Sequence, residues 1–467
     1  MARAEEHYDV VVIGGGPGGY ASALYAGAAG LRVALVEHDK VGGTCLHRGC
    51  IPAKELLETA TVFRTVAGAK EFGVQADQPT VDFPTSQARK QKVVDQLWKG
   101  LQGLLKQRKV TVVPGRGALG AGKVVRVEGG TELRGDHVVL ATGSVPRTIP
   151  GFDVDGRVVL TSDEVLALER LPSSAVVVGG GAIGCEFASM MADLGTQVTV
   201  LEALPKLLPG CDADVVDVIA KSFKRRGIDV RTGVPVHGHE PNGNGNGTVV
   251  RFGDGESVTV DQVVVSVGRR PLSEELGLDG TGVEVDERGF VRVDERMRTG
   301  EPGVYAVGDV VATPQLAHVA FAEAIVAVKD ILGEEPVPVD YARVPWCIYC
   351  HPEVAFAGLS EEAAREAGHD VVVSKHRFAG NGRALILGEA EGLVKVIAEK
   401  GADGRAGRLL GVHMVGPWVT EQLAEGYLAV NWEALPDDVG HFIHPHPTLS
   451  ETFGETVLAL TGRGLHG

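Results

Sequence analysis

The chain has 467 residues, which exceeds the size at which a single hydrophobic core stops growing, so two to four domains are expected. Its 44% hydrophobic and 23% charged content is that of an ordinary globular protein. The net charge of −16 argues against a protein that binds nucleic-acid phosphates, because such binding needs clustered Lys and Arg. No run of the sequence reaches the roughly 18 apolar residues of a membrane span.

The composition also gives expectations about the surroundings of the protein. Residues 1–7 lack a secretory pattern, so we expect a cytoplasmic protein with neither a membrane nor a nucleic-acid partner. Six cysteines are too few for a disulfide scaffold in a chain of this length, and the cytoplasm keeps thiols reduced. A cysteine pair that forms a bridge there is therefore a candidate for redox work.

The first predicted element is a β–α–β unit around a glycine-rich turn. A strand over residues 8–13 leads into G-G-G-P-G-G, and a helix and a second strand follow, ending at Glu37. Gly14 permits a tight turn, Gly16 lets the backbone approach a pyrophosphate, and Gly19 lets the helix pack on the strand. The free N–H groups of the helix would bind phosphate and Glu37 would bind ribose hydroxyls.

A second unit repeats this plan. A strand over residues 175–178 leads into a turn that carries Gly179, Gly181 and Gly184, and the unit ends at Glu202. In both units the acidic residue lies 23 positions after the first glycine (14 to 37, and 179 to 202). One such motif is a weak signal, whereas two placed between strand and helix indicate two dinucleotide sites. Glu202 favours NAD, because a carboxylate would repel the 2′-phosphate of NADP.

The other segments predict further elements. Buried-strand patterns precede the Thr142-Gly143-Ser144 turn and Gly268, and a charged helical segment runs from Val62 to Lys106. The stretch 241–247 alternates Asn and Gly after a Pro and predicts an exposed loop. From about Tyr341 strands and helices alternate differently without a glycine motif, which indicates a separate domain.

Two cysteines lie five residues apart beside a glycine turn and a predicted helix start. Cys45 and Cys50 could close a small ring, and a helix N-terminus would stabilise a thiolate and lower its pKa. The pattern alone is equally compatible with structural thiols or a metal site. Cys347 and Cys350 form a C-x-x-C pair, as redox and metal sites do, but no second Cys/His pair of matching spacing accompanies it, so we interpret the pair as incidental.

The C-terminal region contains a histidine five residues before a carboxylate. His446 and Glu451 suit a general base whose orientation is held by an acid. Thiol–disulfide exchange needs such a base, because the attacking thiol must lose its proton. On the local sequence, a metal-binding or loop pair formed by His444 and His446 is the alternative.

These residues together resemble the pyridine nucleotide–disulfide oxidoreductases, and within them the dihydrolipoamide dehydrogenase group. The resemblance runs from about Tyr8 to Glu455 and rests on the two glycine turns and on residues 45–54, 142–144, 307–309, 315–318, 349–355 and 446–451. It implies FAD-dependent oxidation of protein-bound dihydrolipoamide, with reduction of NAD+ through a Cys45–Cys50 disulfide.

The resemblance also implies roles for individual residues. Cys45 would exchange with the substrate, Cys50 would face the flavin, and His446 and Glu451 would come from the partner subunit of a homodimer. No metal ligand is implied. The residues expected to bind FAD are Gly14, Gly16, Gly19, Glu37, Lys54 paired with Glu186, Gly117, Thr142, Gly143, Ser144, Gly308, Asp309, Gln315, Leu316, Ala317 and His318. Those expected to bind NAD are Gly179, Gly181, Gly184, Glu202, Val236 and Gly268.

The implied fold class is α/β, with two Rossmann-like dinucleotide-binding domains plus a C-terminal α+β dimerisation domain. We expect residues 1–149 to form the FAD-binding domain and 150–272 the NAD-binding domain. Residues 273–340 would complete the FAD domain, and 341–467 would form the interface domain.

The substrate and the redox loop leave alternatives open. The expected partner is a lipoyl-bearing protein of a 2-oxo acid dehydrogenase complex or of the glycine cleavage system. An NADH-dependent quinone or low-molecular-weight disulfide reductase of the same fold, or a non-catalytic scaffold that keeps the nucleotide pockets, are the other hypotheses. His47 and Arg48 stand where many family members have Asn-Val, and Cys350 stands where many have Thr. The first two could shift the pKa values of the thiols.

Overall fold

The structure of the protein is a computed structural model that describes residues 6–243 and 247–466. The first part of the chain carries a strand–helix–strand unit, then helices, then a run of short strands. Its elements in chain order are β1 (Glu6–Ile13), α1 (Pro17–Ala28), β2 (Val33–Glu37), α2 (Gly43–His47), α3 (Cys50–Gly68), α4 (Phe83–Gln107), β3 (Thr111–Pro114), β4 (Gly117–Gly120), β5 (Val124–Val127), β6 (Thr131–Leu140) and β7 (Ser144–Pro146).

The middle part contains the second strand–helix–strand unit, which residues 174–202 form. Its elements are β8 (Val159–Leu160), α5 (Ser162–Val165), β9 (Ser174–Val178), α6 (Ala182–Asp193), β10 (Gln197–Glu202), α7 (Ala213–Arg225), β11 (Asp229–Thr232), β12 (Val236–Pro241), β13 (Thr248–Phe252), β14 (Glu256–Val260), β15 (Gln262–Val265), β16 (Arg269–Pro271), β17 (Val304–Ala306) and α8 (Ala317–Ile331).

The last part is built on antiparallel strands with helices. Its elements are β18 (Trp346–Ile348), β19 (Glu353–Gly358), α9 (Glu361–Glu366), β20 (Val371–Arg377), α10 (Gly382–Leu387), β21 (Leu393–Lys400), β22 (Ala406–Gly416), α11 (Val419–Asn431), α12 (Pro436–Gly440) and α13 (Glu451–Leu460).

The first sheet has the order β3-β2-β1-β6-β5-β4, and β17 pairs with β6. The strands β3, β2, β1, β6 and β17 are parallel, and helices cover the sheet. Strands buried on both faces are nearly continuous apolar runs. In β1 and β2 the residues 10–13 and 33–36 are accordingly at most 2% exposed. Because β17 joins β6, residues 304–306 return to the sheet that the N-terminal unit begins.

The second parallel sheet has the order β11-β10-β9-β15-β8, and β12, β13 and β14 form a small antiparallel sheet beside it. The third large sheet is antiparallel, with the order β18-β19-β22-β21-β20, and α11 and α13 pack on it. The predicted α/β class with two Rossmann-like units is therefore confirmed. Among the helices that the described residues form, none is both long and apolar enough to cross a membrane.

Two sequence-based expectations need adjustment. The predicted helical segment from Val62 to Lys106 is in fact two helices, because α3 begins at Cys50, ends at Gly68 and is separated from α4. Asp82 caps the start of α4 by accepting a hydrogen bond from the Thr85 N–H. The predicted loop at 241–247 connects β12 and β13, and its residues 244–246 lie outside the described residues.

Candidate active site

The first glycine turn has the shape that its sequence predicts. Gly14 lies at φ +100°, a conformation that glycine adopts without strain. A Cβ at Gly19 would lie 1.8 Å from the Gly14 carbonyl oxygen, so α1 can pack this closely only without a side chain there. Gly16, in contrast, faces open space at the start of α1. The turn therefore leaves room for a phosphate at the unpaired N–H groups of the helix.

The second glycine turn repeats this geometry. Gly179 lies at φ +104°, and a Cβ at Gly184 would lie 1.9 Å from the Gly179 carbonyl oxygen. Gly181 faces open space at the start of α6. The two units are thus alike in structure as well as in sequence.

The acidic residues that end the two units are both buried and make matching contacts. One carboxylate oxygen of Glu37 accepts the N–H of Gly15 at 2.7 Å, and one of Glu202 accepts the N–H of Gly180 at 2.6 Å. In each case the other oxygen accepts the N–H two residues further along the chain. A carboxylate has about four acceptor positions. Each residue therefore holds its glycine turn and retains capacity for ribose hydroxyls.

Further predicted FAD residues lie at the ends of the first sheet. Gly117 begins β4, and a Cβ there would contact side chains of both β1 and β2 at 3.1 Å. Thr142 donates to the Leu272 carbonyl at 2.6 Å, and Gly143 follows at φ +73°.

Ser144 links this end of the sheet to the loop after β17. Its hydroxyl donates to Asp309 Oδ2 at 2.5 Å, and the residue before Asp309, Gly308, lies at φ +73°. Arg269 donates to the Ser144 hydroxyl at 2.7 Å and to the Ser144 carbonyl at 2.8 Å. The structure therefore brings Ser144 and Asp309 together across 165 positions of sequence. The sequence prediction missed Arg269, which begins β16.

The segment 315–318 forms the start of α8. Leu316 is the N-cap residue and its side chain makes no capping bond, so N–H groups of the first turn, at Ala317 and His318, have no intrahelical acceptor. The Gln315 Nε2 is buried without a hydrogen-bond partner. His318 Nε2 donates to the Pro345 carbonyl at 2.8 Å. A buried unpaired amide beside a helix N-terminus fits a planar group that carries acceptor atoms, as the flavin of FAD does.

A buried carboxylate that the sequence analysis did not predict accepts a hydrogen bond from the loop that precedes α8. Glu323 in α8 is 0% exposed and accepts the N–H of Gly308 at 2.6 Å and the hydroxyl of Tyr341 at 3.0 Å. Burial raises the pKa of Glu323, and the hydrogen bond from the Gly308 N–H opposes that rise. In the sequence, the feature that could have indicated this residue is a single Glu within an otherwise apolar stretch.

The candidate redox pair lies where α2 ends and α3 begins. Cys45 is in α2 and Cys50 is the first residue of α3; both are free thiols of intermediate exposure. The hydrogen bond from Cys45 and, after it, the Lys54 ammonium together lower the pKa of Cys50 to about 7, against the effect of burial. The same hydrogen bond, together with burial, raises the pKa of Cys45. The structure thus favours a thiolate at Cys50, and the Cys45 hydrogen bond contributes most to the lowered pKa, ahead of Lys54 and the backbone.

Lys54 connects the redox pair to the second glycine unit. Its ammonium donates to both carboxylate oxygens of Glu186 in α6 at 2.9 Å, which is the pairing that the family resemblance implied. The Tyr349 N–H donates to Glu186 at 2.9 Å, and Lys54 Nζ lies 4.9 Å from the centre of the Tyr349 ring. Burial would lower the pKa of Lys54, but Glu186 outweighs it and raises that pKa. Tyr349 belongs to one of the motifs on which the family resemblance rests, but the sequence analysis did not predict its contacts with Lys54 and Glu186.

His47 and Arg48, the two unusual residues of the redox loop, contact residues other than the two cysteines. His47 Nε2 donates to the Val41 carbonyl at 3.0 Å, and Arg48 Nη1 lies 3.5 Å from Asp39 Oδ2. The shift of the Cys50 pKa comes instead from Cys45, burial, Lys54, the backbone and Glu186. The hypothesis that His47 and Arg48 tune the thiols therefore finds no support in these contacts.

The candidate base is an exposed histidine. His446 Nδ1 lies 2.9 Å from Glu451 Oε1, and the His446 side chain is 79% exposed. Glu451 begins α13 and also accepts the Thr448 N–H at 2.7 Å. Glu451 therefore holds the ring, while Nε2 of His446 faces outward. None of the hydrogen bonds or ion pairs described for this chain joins His446 to the Cys45–Cys50 pair.

The remaining predicted NAD residues lie at the starts of two strands, β12 and β16, that are not part of the second parallel sheet. Val236 begins β12, and Gly268 lies at φ +103° just before β16, with its carbonyl accepting the Arg147 N–H at 2.9 Å. Of the other cysteines, Cys350 is buried and Cys347 lies in β18. No group of three or more Cys, His, Asp or Glu side chains in the described part of the chain could hold a metal ion.

Comparison with protein families gives two adjoining matches. A model described as pyridine nucleotide-disulphide oxidoreductase matches residues 8–324. The dimerisation domain of the same family matches residues 344–457.

The chain is also similar over nearly its full length to curated and solved proteins. It is 43% identical to a dihydrolipoyl dehydrogenase of Bacillus subtilis (98% of this chain, 99% of the relative) and 42% identical to one of Thermus scotoductus (98% of each). The crystal structure of LpdA from Mycobacterium tuberculosis superposes with a TM-score of 0.90 at 26% identity, covering 97% of this chain and 99% of the other. The HOCl-induced flavoprotein disulfide reductase RclA from Escherichia coli superposes with a TM-score of 0.86 at 29% identity, with the same coverage. The chain belongs to the pyridine nucleotide-disulphide oxidoreductases.

Proposed function

We propose that the protein acts as a dihydrolipoyl dehydrogenase, which oxidises protein-bound dihydrolipoamide to lipoamide and reduces NAD+ to NADH. The observation that carries the proposal is the Cys45–Cys50 pair at the start of α3, four residues before the Lys54 that pairs with Glu186 and lowers the pKa of Cys50. The curated relatives named dihydrolipoyl dehydrogenase, at about 40% identity, support the substrate assignment.

The sulfur chemistry follows from the properties of the two thiols. In the oxidised protein, one thiolate of dihydrolipoamide attacks Cys45 of the Cys45–Cys50 disulfide, and that bond breaks to release Cys50 as a thiolate. The second substrate thiolate attacks the substrate sulfur of the mixed disulfide, which releases Cys45 and completes the lipoamide disulfide. Two electrons have then moved to the protein sulfurs. A low pKa makes Cys50 the better leaving group, and the raised pKa of Cys45 suits its return to the thiol form.

The cofactors are assigned to the two glycine units. FAD, when bound, supplies two-electron transfer between the sulfur pair and NAD+. We assign it to the Gly14–Gly19 turn, Glu37, the 142–144 turn, Asp309 and the start of α8. NAD is assigned to the turn at Gly179–Gly184 and to Glu202, with Val236 and Gly268 beside it. NAD rather than NADP is expected, because the Glu202 carboxylate is buried beside the turn and no cation follows it at Ala203.

Proton transfer is assigned to a histidine of a second copy of the chain. His446 would take the proton of the attacking substrate thiol at Nε2, because Glu451 bonds Nδ1. Apolar side chains stand exposed directly before this segment: Phe442 is 70% and Ile443 is 97% exposed. Adjoining exposed apolar side chains mark a surface that another protein covers. The match of residues 344–457 to a dimerisation domain supports a homodimer as that covering.

We further propose which residues form each domain, which protein is the substrate and where the protein acts. Residues 1–149 and 273–340 form the FAD domain, 150–272 the NAD domain and 341–467 the interface domain; the pairing of β17 with β6 supports the split FAD domain. The physiological substrate is a lipoyl-bearing protein of a 2-oxo acid dehydrogenase complex or the glycine cleavage system, and the site of action is the cytoplasm.

Steady-state kinetics test the proposal. We expect turnover with dihydrolipoamide and NAD+, much lower turnover with NADP+, and none in Cys50→Ser. Replacing His446 by Ala should slow the thiol half-reaction by roughly 10²–10⁴-fold, which is the usual contribution of a general base. Unchanged lipoamide turnover in Cys50→Ser would overturn the proposal.

A reductase for low-molecular-weight disulfides is the second candidate, favoured by the structural similarity to the flavoprotein disulfide reductase RclA. A panel of lipoamide, glutathione disulfide, mycothiol disulfide and quinones with NADH separates the two. Preference for lipoamide over the other acceptors supports the dehydrogenase. Turnover confined to another disulfide or to quinones supports the alternative.

A further inference from the structure

The C-terminal motif contains a second histidine whose surroundings differ from those of the candidate base. The His444 side chain is 12% exposed, whereas that of His446 is 79% exposed. His444 Nε2 lies 2.9 Å from Glu425 Oε1, and Glu425 belongs to α11. His444 is therefore a partly buried, paired side chain two residues before an exposed one.

The ring of His444 also lies against α13, the helix that begins at Glu451. A Cβ added to Gly454 would fall 2.4 Å from His444 Nδ1 and 3.0 Å from its Cγ. The ring can occupy this position only because residue 454 has no side chain. His444 thus joins the 444–446 segment to α11 through Glu425 and to α13 through Gly454.

The charged groups around His444 are both acidic. Glu425 hydrogen-bonds to the ring from α11 and raises the pKa of His444 against the effect of burial; Glu451 of α13 and the Phe442 carbonyl act in the same direction. His444 is therefore held in its cationic form over a wider pH range than an exposed histidine.

This cation acts on Glu451 in turn. Burial opposes ionisation of Glu451, but the Thr448 N–H, His446 and the charge of His444 hold its pKa below the ordinary value. An ionised Glu451 is the form that accepts the Nδ1–H of His446 and leaves Nε2 free to take a proton.

We propose that His444, together with Glu425, is a positioning residue that holds the His446–Glu451 pair in the orientation that proton transfer requires. His444 touches neither substrate nor cofactor in this role; it acts through the segment that carries His446 and through the charge of Glu451. The inference rests on the proposed function, because it assigns a support to the base of that reaction.

Three substitutions test the inference in the holoenzyme. Glu425→Gln keeps the size of the partner and removes its charge, His444→Gln removes the ring, and Gly454→Ala pushes the ring aside while favouring the helix. We expect kcat with dihydrolipoamide to fall roughly 10- to 100-fold, because small misplacements of a reacting group have effects of that size. Reduction of ferricyanide by NADH, which uses the flavin without the thiols, should stay unchanged.

A matched control is a histidine that lies beyond α13 and pairs with a glutamate of that helix. His466 Nδ1 is 3.1 Å from Glu455 of α13, and the His466 side chain is 75% exposed. Because this pair touches neither His444 nor the 446–451 segment in the hydrogen bonds described, His466→Gln should keep the wild-type kcat. The acid limb of the pH profile, where Glu451 becomes protonated, should move to higher pH in His444→Gln and stay in place in His466→Gln.

Two results would overturn the inference. One is wild-type kcat and an unmoved acid limb in both Glu425→Gln and Gly454→Ala. The other is a parallel loss of ferricyanide reduction in all three variants, since the defect would then be general. His446→Ala separates this inference from the proposed function: if that variant keeps full lipoamide turnover, the proposed base itself is wrong, and the support assigned to it falls as well.

Discussion

Lys54 donates a hydrogen bond of 2.9 Å to each carboxylate oxygen of Glu186, although 132 positions of sequence separate the two residues. The pair joins α3, which begins at Cys50, to α6 of the second glycine unit. Lys54 lowers the pKa of Cys50 and Glu186 raises it, so the ion pair adjusts the thiolate that the redox step needs. A single contact therefore connects the sulfur pair with the unit to which we assign NAD.

Removing the Lys54 charge should raise the pKa of Cys50. In Lys54→Met the cation that lowers the pKa of the Cys50 thiol is gone, so the midpoint for ionisation should move to higher pH than in the wild type. The measurement is the pH dependence of alkylation of Cys50 in the reduced protein, with the labelled cysteine identified by mass spectrometry. Lys99→Met, at an exposed position of α4, is the control. A midpoint equal to that of the control would exclude the electrostatic role of Lys54.

Substitutions of the two buried acidic residues, Glu202 and Glu37, should each weaken the binding of a different cofactor. Glu202→Ala removes the acceptor of the Gly180 N–H and of the ribose hydroxyls, so the Kd for NAD+ should rise about tenfold or more, since hydrogen bonds to charged groups contribute about 1.5–3 kcal/mol. The FAD content should not change. Glu37→Ala should do the reverse, because it makes the matching contact with Gly15. Calorimetry with NAD+ and the flavin absorbance of purified protein measure both effects. Loss of FAD in Glu202→Ala would contradict the assignment.

The buried carboxylate behind the Gly308 loop should control retention of FAD. Glu323 accepts hydrogen bonds from the Gly308 N–H and the Tyr341 hydroxyl, so Glu323→Leu removes the acceptor of both and leaves the Gly308 N–H buried without it. We expect this variant to lose FAD during gel filtration. Tyr341→Phe, which leaves the Gly308 bond intact, should retain more FAD than Glu323→Leu. Equal FAD content in wild type and Glu323→Leu would show that the loop does not depend on this contact.

A buried lysine with three carboxylates should make an important contribution to stability. Lys395 is 3% exposed on the side chain and lies 2.8 Å from Asp212, 2.7 Å from Asp214 and 2.8 Å from Glu361. Lys395→Met would leave the buried Asp212 without a cation, whereas Asp214 would keep Lys375 and Glu361 would keep Arg365. Breaking a buried pair by removing one partner costs about 3–5 kcal/mol, and we expect a loss of stability of that size at neutral pH.

The pH dependence of this contribution follows from the pKa shifts. Burial would raise the pKa of Asp212 and Asp214, but Lys395 holds both below the ordinary value of 3.8, and it also lowers that of Glu361 below 4.5. Groups with a depressed pKa stabilise the fold above their ordinary range and lose this effect as the pH falls through the depressed values. Burial would lower the pKa of Lys395, but the carboxylates raise it above 10.5, so its contribution is complete below that pH.

The stabilising window therefore extends from about pH 4.5 to about pH 10.5. Urea midpoints at pH 7 and pH 3 should show a large deficit for Lys395→Met at pH 7 and a smaller one at pH 3. Lys400→Met is the control, since Lys400 is 43% exposed and its ion pair with Asp370 is 3.4 Å long; exposed pairs contribute little. A deficit that is the same at both pH values would contradict the ionic explanation.

The sequence alone determined the features that depend on short spacing. The two glycine units could be predicted because a tight turn, a close helix and an acidic strand end all lie within 23 positions, from Gly14 to Glu37 and from Gly179 to Glu202. Cys50 at a helix start and His446 five residues before Glu451 are likewise local arrangements. Local backbone geometry fixes such contacts whatever the rest of the chain does.

Only the tertiary structure decided which elements contact the polar side chains outside these motifs. Glu323 bonding the Gly308 N–H, His444 lying against Gly454 and Lys395 meeting three carboxylates all depend on how helices and sheets pack. Glu323 and Lys395 are buried and His444 is partly buried, and a polar group removed from water must find partners from whichever element lies nearby. Periodicity and motif spacing carry no information about that neighbour, because it is chosen when the sheets and helices come together.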